Sequence, residues 1–447
     1  MNRVIRRLLL IGACVFFALA APAIILYAIG YRFQLQSQPR QVGVLLIETI
    51  PQDAVIEIDG TQVGTSPEAV SNLPEGTTAV RIVKDGYVPW EKHIPIEPAR
   101  AVELRTVRLF PENTLARSIA ADITAFSLSP SRRLIAATDS QQRLHILDQT
   151  GESVADPLTL QGTSQHLLWS SDSTALIVEY TTGNRELVHV ADLGLTREAL
   201  PSLATAGSFV WDPRLPGRLL ALTTNGSLRS YSTATKAFTN IAEGVNLFAL
   251  TRRQIVVSNE NGALQWYSLT GDLQHEQAFP ELGEITRIVA APTGLVAVQN
   301  TNGNLFVLVQ QEVLPVADSG EIVGFSPSGQ VLLVRKGPSE LAVFNAADER
   351  ATYLPYRSLH TILHLSRPIR DPQWFAGSMH IVFQADDEII ISEIDTRDAP
   401  RQYSLDSTNT GDARASVGEA GREMFYLKRT GDNTALYLKD LLLEEDK

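Results

Sequence analysis

One cysteine, three methionines and an aromatic share of 7% are the scarcities of this 447-residue chain. The lone cysteine, Cys14, excludes an intrachain disulfide and a cysteine-based zinc cluster. Positive charge is also short: 38 Lys and Arg stand against 50 Asp and Glu, a net charge of −12. No basic run follows the first seven residues, and a face that neutralises phosphates needs one, so nucleic acid is not an expected partner. Missing too are the Gly-x-Ser-x-Gly elbow, the Walker loop and the Gly-x-Gly-x-x-Gly turn, so neither a fused serine hydrolase nor a nucleotide-binding unit is expected. What remains is a globular composition, 44% hydrophobic and 20% charged, long enough for two or three units.

Only one long stretch lacks charge altogether. Residues 8–31 read LLLIGACVFFALAAPAIILYAIGY. As a helix, about 24 residues reach about 36 Å, enough to cross a hydrocarbon core of about 30 Å. Arg3, Arg6 and Arg7 precede it, a denser cluster than Arg32 and Arg40 after it, which keeps the N-terminus cytoplasmic. The expectation is a cytoplasmic tail (1–7), a transmembrane helix (8–31), a linker (32–41) and exported domains beyond. Two rivals export the rest equally: cleavage near Ala18-Leu19-Ala20, and lipidation at Cys14 after Ile11-Gly12-Ala13.

Residues 42–111 change character. Short runs rich in Val and Ile alternate with the turns Asp59-Gly60, Pro74-Glu75-Gly76 and Asp85-Gly86, which predicts a small antiparallel β-sandwich. Asp59-Gly60 after Val55, Ile56 and Ile58 is a hairpin signal, since a type I′ turn needs positive φ twice. Tyr87 and Trp90 are candidates to cover the core. The order Pro51, Ala54, Ile56, Ile58-Asp59-Gly60, Gly64-Thr65-Ser66-Pro67, Leu73-Pro74-Glu75-Gly76 and Lys84-x-Gly86-Tyr87 resembles the PEGA domain family, with Thr77 where the family has alanine. The resemblance implies a non-catalytic module of envelope and surface proteins that acts as a spacer or touches a cell-wall or surface polymer. It assigns no ligand residue.

From about residue 115 the chain repeats. Asn225-Gly226-Ser227-Leu228, Asn261-Gly262-Ala263-Leu264 and Asn302-Gly303-Asn304-Leu305 each open an alternating strand, and equivalent strands start at Leu144, Leu187, Leu341, Ile389 and Leu436. The spacing is roughly 36 to 48 residues, the period of propeller blades. A second marker sits earlier in the units: Phe126-Ser127-Leu128-Ser129-Pro130, Leu168-Trp169-Ser170-Ser171-Asp172, Val210-Trp211-Asp212-Pro213 and Phe325-Ser326-Pro327-Ser328-Gly329. Residues 112–447 are therefore expected to form a β-propeller of eight blades, or seven. The last unit lacks a fourth strand, and residues 114–119 are placed to supply it, which removes two sheet edges. The turns resemble those of TolB-type and prolyl-oligopeptidase-type propellers more than WD40 repeats, a likeness that implies fold alone.

The candidate chemistry is thin. His360 and His364 lie about 13 Å apart along a strand, too far to share one ion. Asp386-Asp387-Glu388, Asn259 to Gly262 and Asn300 to Gly303 sit where hairpin turns recur, without the alternating oxygens of a calcium loop. Trp169, Trp211, Trp266 and Trp374 read as packing between blades, and Glu444-Glu445-Asp446 as a frayed tail. No catalytic, cofactor or metal residue is assigned. The expectation is a non-catalytic envelope protein, membrane-anchored, that binds or scaffolds a surface polymer or protein. The alternative is an exported lyase or glycan hydrolase with its site at the propeller channel.

Overall fold

A computed structural model describes residues 3–28, 31–32, 40–98, 100–191, 194–199, 206–259, 262–347, 353–409 and 415–446. Two compact units divide the chain. The first takes Met1–Asn113 together with Asp395–Ala399 and Leu442–Asp446; the second takes nearly all the rest, from Thr114 on. Most of the expected 32–41 linker lies outside the described residues.

The first unit begins with a helix over Arg3–Ala28, five residues earlier and three shorter at its end than the sequence predicts. Among the described residues, no helix is long and apolar enough to cross a membrane.

Two sheets follow. In one, Arg40–Ile50 lies antiparallel to Glu68–Pro74 and parallel to Ala101–Arg108. The other orders Thr61–Thr65, Val55–Ile58, Gly76–Val83 and Trp90–Ile96, antiparallel throughout. The wholly antiparallel sandwich expected from the turns is thus corrected at one pairing. Ala101–Arg108 is entered after the chain crosses over from Trp90–Ile96 of the opposite sheet, and so runs the same way as Arg40–Ile50. At the first hairpin, Asp59 and Gly60 both take positive φ, 49° and 78°, as a type I′ turn requires. Alternation buries Leu45, Ile47, Ile56 and Ile58 with Tyr87 and Trp90 in one core.

The C-terminal acids are not a frayed tail. Glu444–Asp446 forms a 3-10 turn, and Leu442 joins the small core. The Asp446 carboxylate accepts the Tyr87 hydroxyl at 2.8 Å and pairs with Lys84 at 2.9 Å, while the Leu443 N–H donates to Tyr87 Oη at 2.9 Å. Burial, helped by Asp446, pushes the Tyr87 phenol up to about 12. Asp395–Ala399 is held in the same unit: Arg397 bonds Asp395 at 2.7 Å and the Glu103 carbonyl at 3.0 Å, and the His93 N–H donates to Asp398 at 2.8 Å.

The second unit is built from four-stranded antiparallel sheets, eight among the described residues, spanning 123–159, 164–199, 206–242, 245–278, 285–317, 321–364, 369–407 and 415–440. The last has only three strands of its own and takes Arg117–Ala120 as its fourth, a strand that overlaps the segment 114–119 expected to fill that place. Local chemistry repeats from sheet to sheet. After the first strand, the hydroxyls of Ser129, Ser170 and Ser326 accept the N–H five residues on, from Leu134, Ala175 and Val331, at 2.9 to 3.2 Å. This is why Ser recurs in the second sequence marker. At Asn225-Gly226 and Asn302-Gly303 only the glycine has positive φ, and Gly226 and Gly303 donate back to Thr223 and Asn300, a type I turn closed by a bulge.

Sheet-to-sheet packing closes a cycle. Leu144 and Ile146 meet Leu176 and Val178; Ile177 and Leu187 meet Leu219 and Tyr231; Leu220 and Leu222 meet Ile255 and Val257. The series continues through Val256 with Val298, Val307 with Leu332, and Leu333 with Phe383. Phe425 and Leu436 then pack on Ile123 and Ile135, returning the eighth sheet to the first.

Polar bonds also tie the seventh sheet to the eighth. Asp406 accepts from Lys428 at 2.8 Å and from the Tyr426 hydroxyl, and Tyr426 stacks on Tyr437. Burial pushes the Asp406 carboxyl up, but the Lys428 and Tyr426 bonds outweigh it and leave it below its ordinary value. A depressed carboxylate stabilises the fold above its unfolded pKa near 4, and that contribution disappears as pH falls through the folded value. Asp406→Asn should therefore cost about 1–3 kcal/mol at pH 7 and progressively less below about pH 4. Urea melts of both proteins at pH 7 and pH 3 check this; a gap that is unchanged between the two would refute the assignment.

Candidate functional site

First strands of neighbouring sheets contact one another, so these strands line the axis of the ring. On that axis lies a cavity of about 880 Å³, lined by the ends of first strands from the seventh, eighth, first, second and third sheets. Its walls mix aromatic and aliphatic side chains (Phe126, Trp169, Trp211, with Leu168 and Val210) with hydroxyls and two ionisable groups, Arg132 and Asp371.

Three tryptophans close the same kind of join between neighbouring first strands. Trp169 Nε1 donates to the Ser127 carbonyl at 3.1 Å, Trp211 to Leu168 at 3.0 Å and Trp374 to Gly324 at 3.0 Å. Each is the last residue of its strand and reaches the preceding sheet. Packing between blades was expected of them. The structure adds a fixed donor that ties adjacent sheets, and it puts Trp169 and Trp211 in the cavity wall. Trp266 differs: it lies on the third strand of its sheet, beside Phe279 and His275.

Arg132 holds the fourth position of the first sheet's Ser129–Arg132 turn, at φ 60°. Its guanidinium reaches across to the Val417 carbonyl of the eighth sheet. Burial, the sole cause of its shift, pushes its pKa below the usual arginine value. Asp371 lies at a bulge in the first strand of the seventh sheet, φ 44°, and is exposed. Sequence reading missed both, because neither belongs to a motif. The turn offset could have pointed to Arg132, since small residues, Ser173, Gly294 and Gly329, occupy its place in other units.

The residues weighed for chemistry lie elsewhere. His360 and His364 share the strand Leu359–His364, with His364 3.9 Å from Glu340 and outward-facing. Asp386 and Glu388 flank a hairpin and pair with Arg367 at 3.3 and 2.5 Å. The Asn300 side chain accepts the N–H groups of Asn302 and Asn304, as a turn residue does, while Asn261 lies outside the described residues. Cys14 is exposed on the N-terminal helix. Among the described residues, no three His, Cys, Asp or Glu side chains come together as metal ligands. One charged cluster, Asp139 with Arg143 at 2.7 Å and His145 at 2.9 Å, sits at a hairpin of the first sheet. Burial there opposes the charge, but these bonds prevail and hold the Asp139 carboxyl at about 2.

Residues 42–111 match the model of the PEGA domain. No curated protein matches the sequence. Among solved structures, the chain is similar to the C-terminal WD40 domain of Sif2, at 12% identity and a TM-score of 0.52, over 72% of this chain and 98% of that one. It is also similar to a eukaryotic initiation factor, at 13% identity and a TM-score of 0.48, over 71% of this chain and 85% of that one. At such identities the first likeness speaks for the fold alone, and the second adds no argument. The chain thus carries a PEGA domain at residues 42–111, followed by a β-propeller of four-stranded antiparallel sheets.

Proposed function

We propose that this chain is a non-catalytic binding protein of the cell envelope. A single N-terminal helix anchors it, the PEGA domain spaces it or contacts a surface polymer or protein, and an eight-bladed propeller presents an axial site outside the cytoplasm. The observation that carries the binding reading is the make-up of the axial cavity. One guanidinium and one carboxylate stand among aromatic walls. Glycan hydrolysis draws on two carboxylates flanking one bond, and a lyase on a base near its substrate's acidic proton. The cavity's polar groups suit recognition better than either.

Support for the anchor comes from the helix itself. Ile11, Val15, Phe16, Phe17, Leu19, Ile24 and Ile25 are 53% to 73% exposed, and at 100° per residue they point to every side. A helix apolar all round belongs in lipid or in a core, and these side chains have no core. The eight blades rest on the eight sheets and their closed packing cycle. Fractionation of cells making the full chain tests the anchor. The protein should stay with membranes through high salt and alkaline carbonate, leave with detergent, and lose its C-terminal part to protease added to spheroplasts. Recovery of the intact protein in the soluble fraction would overturn the reading.

A further inference from the structure

Arg132 occupies a turn position at which the other blades carry small residues. In the corresponding turns stand Ser173, Gly294, Gly329 and Gly421, all at positive φ. Arg132 adopts φ 60° there, and is the long, charged side chain in this series of turns.

Several arginines of the second and third sheets carry ion pairs. Arg185 lies 2.7 Å from Glu179, Arg197 3.1 Å from Glu186 and Arg218 3.3 Å from Asp212. Half-buried Arg132 has no carboxylate within ion-pair distance among the described residues, and its bond to the Val417 carbonyl leaves most of its five N–H donors unused. Around it, the walls carry the Trp169 and Trp211 rings, with Leu168 and Val210 38% and 43% exposed. The cavity's volume is that of a site for a small organic molecule.

We propose that the axial cavity binds an organic monocarboxylate, its carboxylate forked on Arg132 and its apolar body against Trp169, Trp211, Leu168 and Val210. The proposal rests on the reading of the propeller as a binding module and is independent of the anchor. A carboxylate supplies the counter-charge the guanidinium lacks, in the planar two-bond geometry that suits it. Asp371, the other ionisable group of the lining, repels a second anionic group, which selects against dicarboxylates and phosphates. The same chemistry comes from a free small acid or from the C-terminus of a peptide.

Calorimetric titration of the full chain in detergent distinguishes these outcomes. The probes are N-acetyl-L-phenylalanine and its amide, the tripeptide Ala-Ala-Phe with a free and an amidated C-terminus, and glutarate. At least one free carboxylate should bind. Its amide should bind at least about tenfold more weakly, and Arg132→Gln should weaken the free acid by a similar factor. Binding of the acetylated amino acid alone points to a free small acid, and of the tripeptide alone to a chain end. Asp371→Asn should bring glutarate binding up at least about threefold, a readout that survives if the Arg132 variant fails to fold. No binding of any free acid below about 10 mM, or amides that bind as well as acids, overturns the proposal. Continued fractionation with membranes in that event would leave the anchored reading standing and remove only this site.

Discussion

Trp90→Ala should unfold the small unit at temperatures where the wild-type chain keeps it folded. Trp90 is 1% exposed and packs with Leu45, Ile47, Ile56, Tyr87, Leu109 and Leu442 in one cluster. Removing a buried indole costs about 3–5 kcal/mol, the transfer term plus the cavity left behind. A unit of this size has a margin of about the same magnitude, because a small core buries too little surface to hold more. The expected drop in its melting temperature is therefore more than about 10 °C. Scanning calorimetry reads it directly, and limited proteolysis should find new cuts within 42–111. A shift of less than about 3 °C would mean that the indole is not the centre of that core.

The second large effect falls on ring closure. Phe425→Ala should cost about 3–5 kcal/mol, because Phe425 is fully buried and joins the eighth sheet to Ile123, Phe126 and Ile135 of the first. The ladder at this place is short. Arg117–Ala120 pairs with Asn433–Asp440 at Leu436–Ala120, Tyr437–Ser118 and Leu438–Arg117, residues more than 300 positions apart in the chain. Closing a loop of that length costs about 5 kcal/mol in the logarithmic term alone. A few ladder bonds at about 1 kcal/mol each do not outweigh it, so the apolar cluster must. Weakening that cluster should open the ring and bare the edge of Asn433–Asp440, a template for aggregation. Light scattering on heating should rise at a lower temperature than in wild type, together with a lower urea midpoint. Val298→Ala, at a mid-ring join, changes less volume and is the control: it should shift the midpoint without an early rise in scattering.

Much of the fold was readable because it is written in short-range chemistry. Asp59-Gly60 specifies its own turn, since two consecutive residues must accept positive φ. Ser129, Ser170 and Ser326 tie a turn to the strand that follows within five residues. The alternation in Trp90–Ile96 sorts its side chains between core and solvent without help from any other strand. The missing fourth strand of the last blade was legible by counting, and the segment just before the first full unit fills it, with a strand that overlaps the expected 114–119.

The misreadings share a different origin. Glu444–Asp446 looks like a solvated tail until Tyr87 and Lys84 are brought to it from more than 300 residues away. The parallel pairing of Arg40–Ile50 with Ala101–Arg108 depends on which sheet the chain has just left, which no dipeptide records. Arg132 belongs to no motif; the ring sets it in the wall of a cavity whose other ionisable group is Asp371. The sequence by itself determined the strands, their turns, the PEGA domain and the repeating four-strand unit, because bonds within a few residues depend only on the residues that make them. Only the tertiary structure decided which strand closes the ring, where the C-terminal acids dock and which charge faces the axis. Those outcomes hang on contacts between distant segments, whose free energy appears only once the chain has paid the entropy of bringing them together.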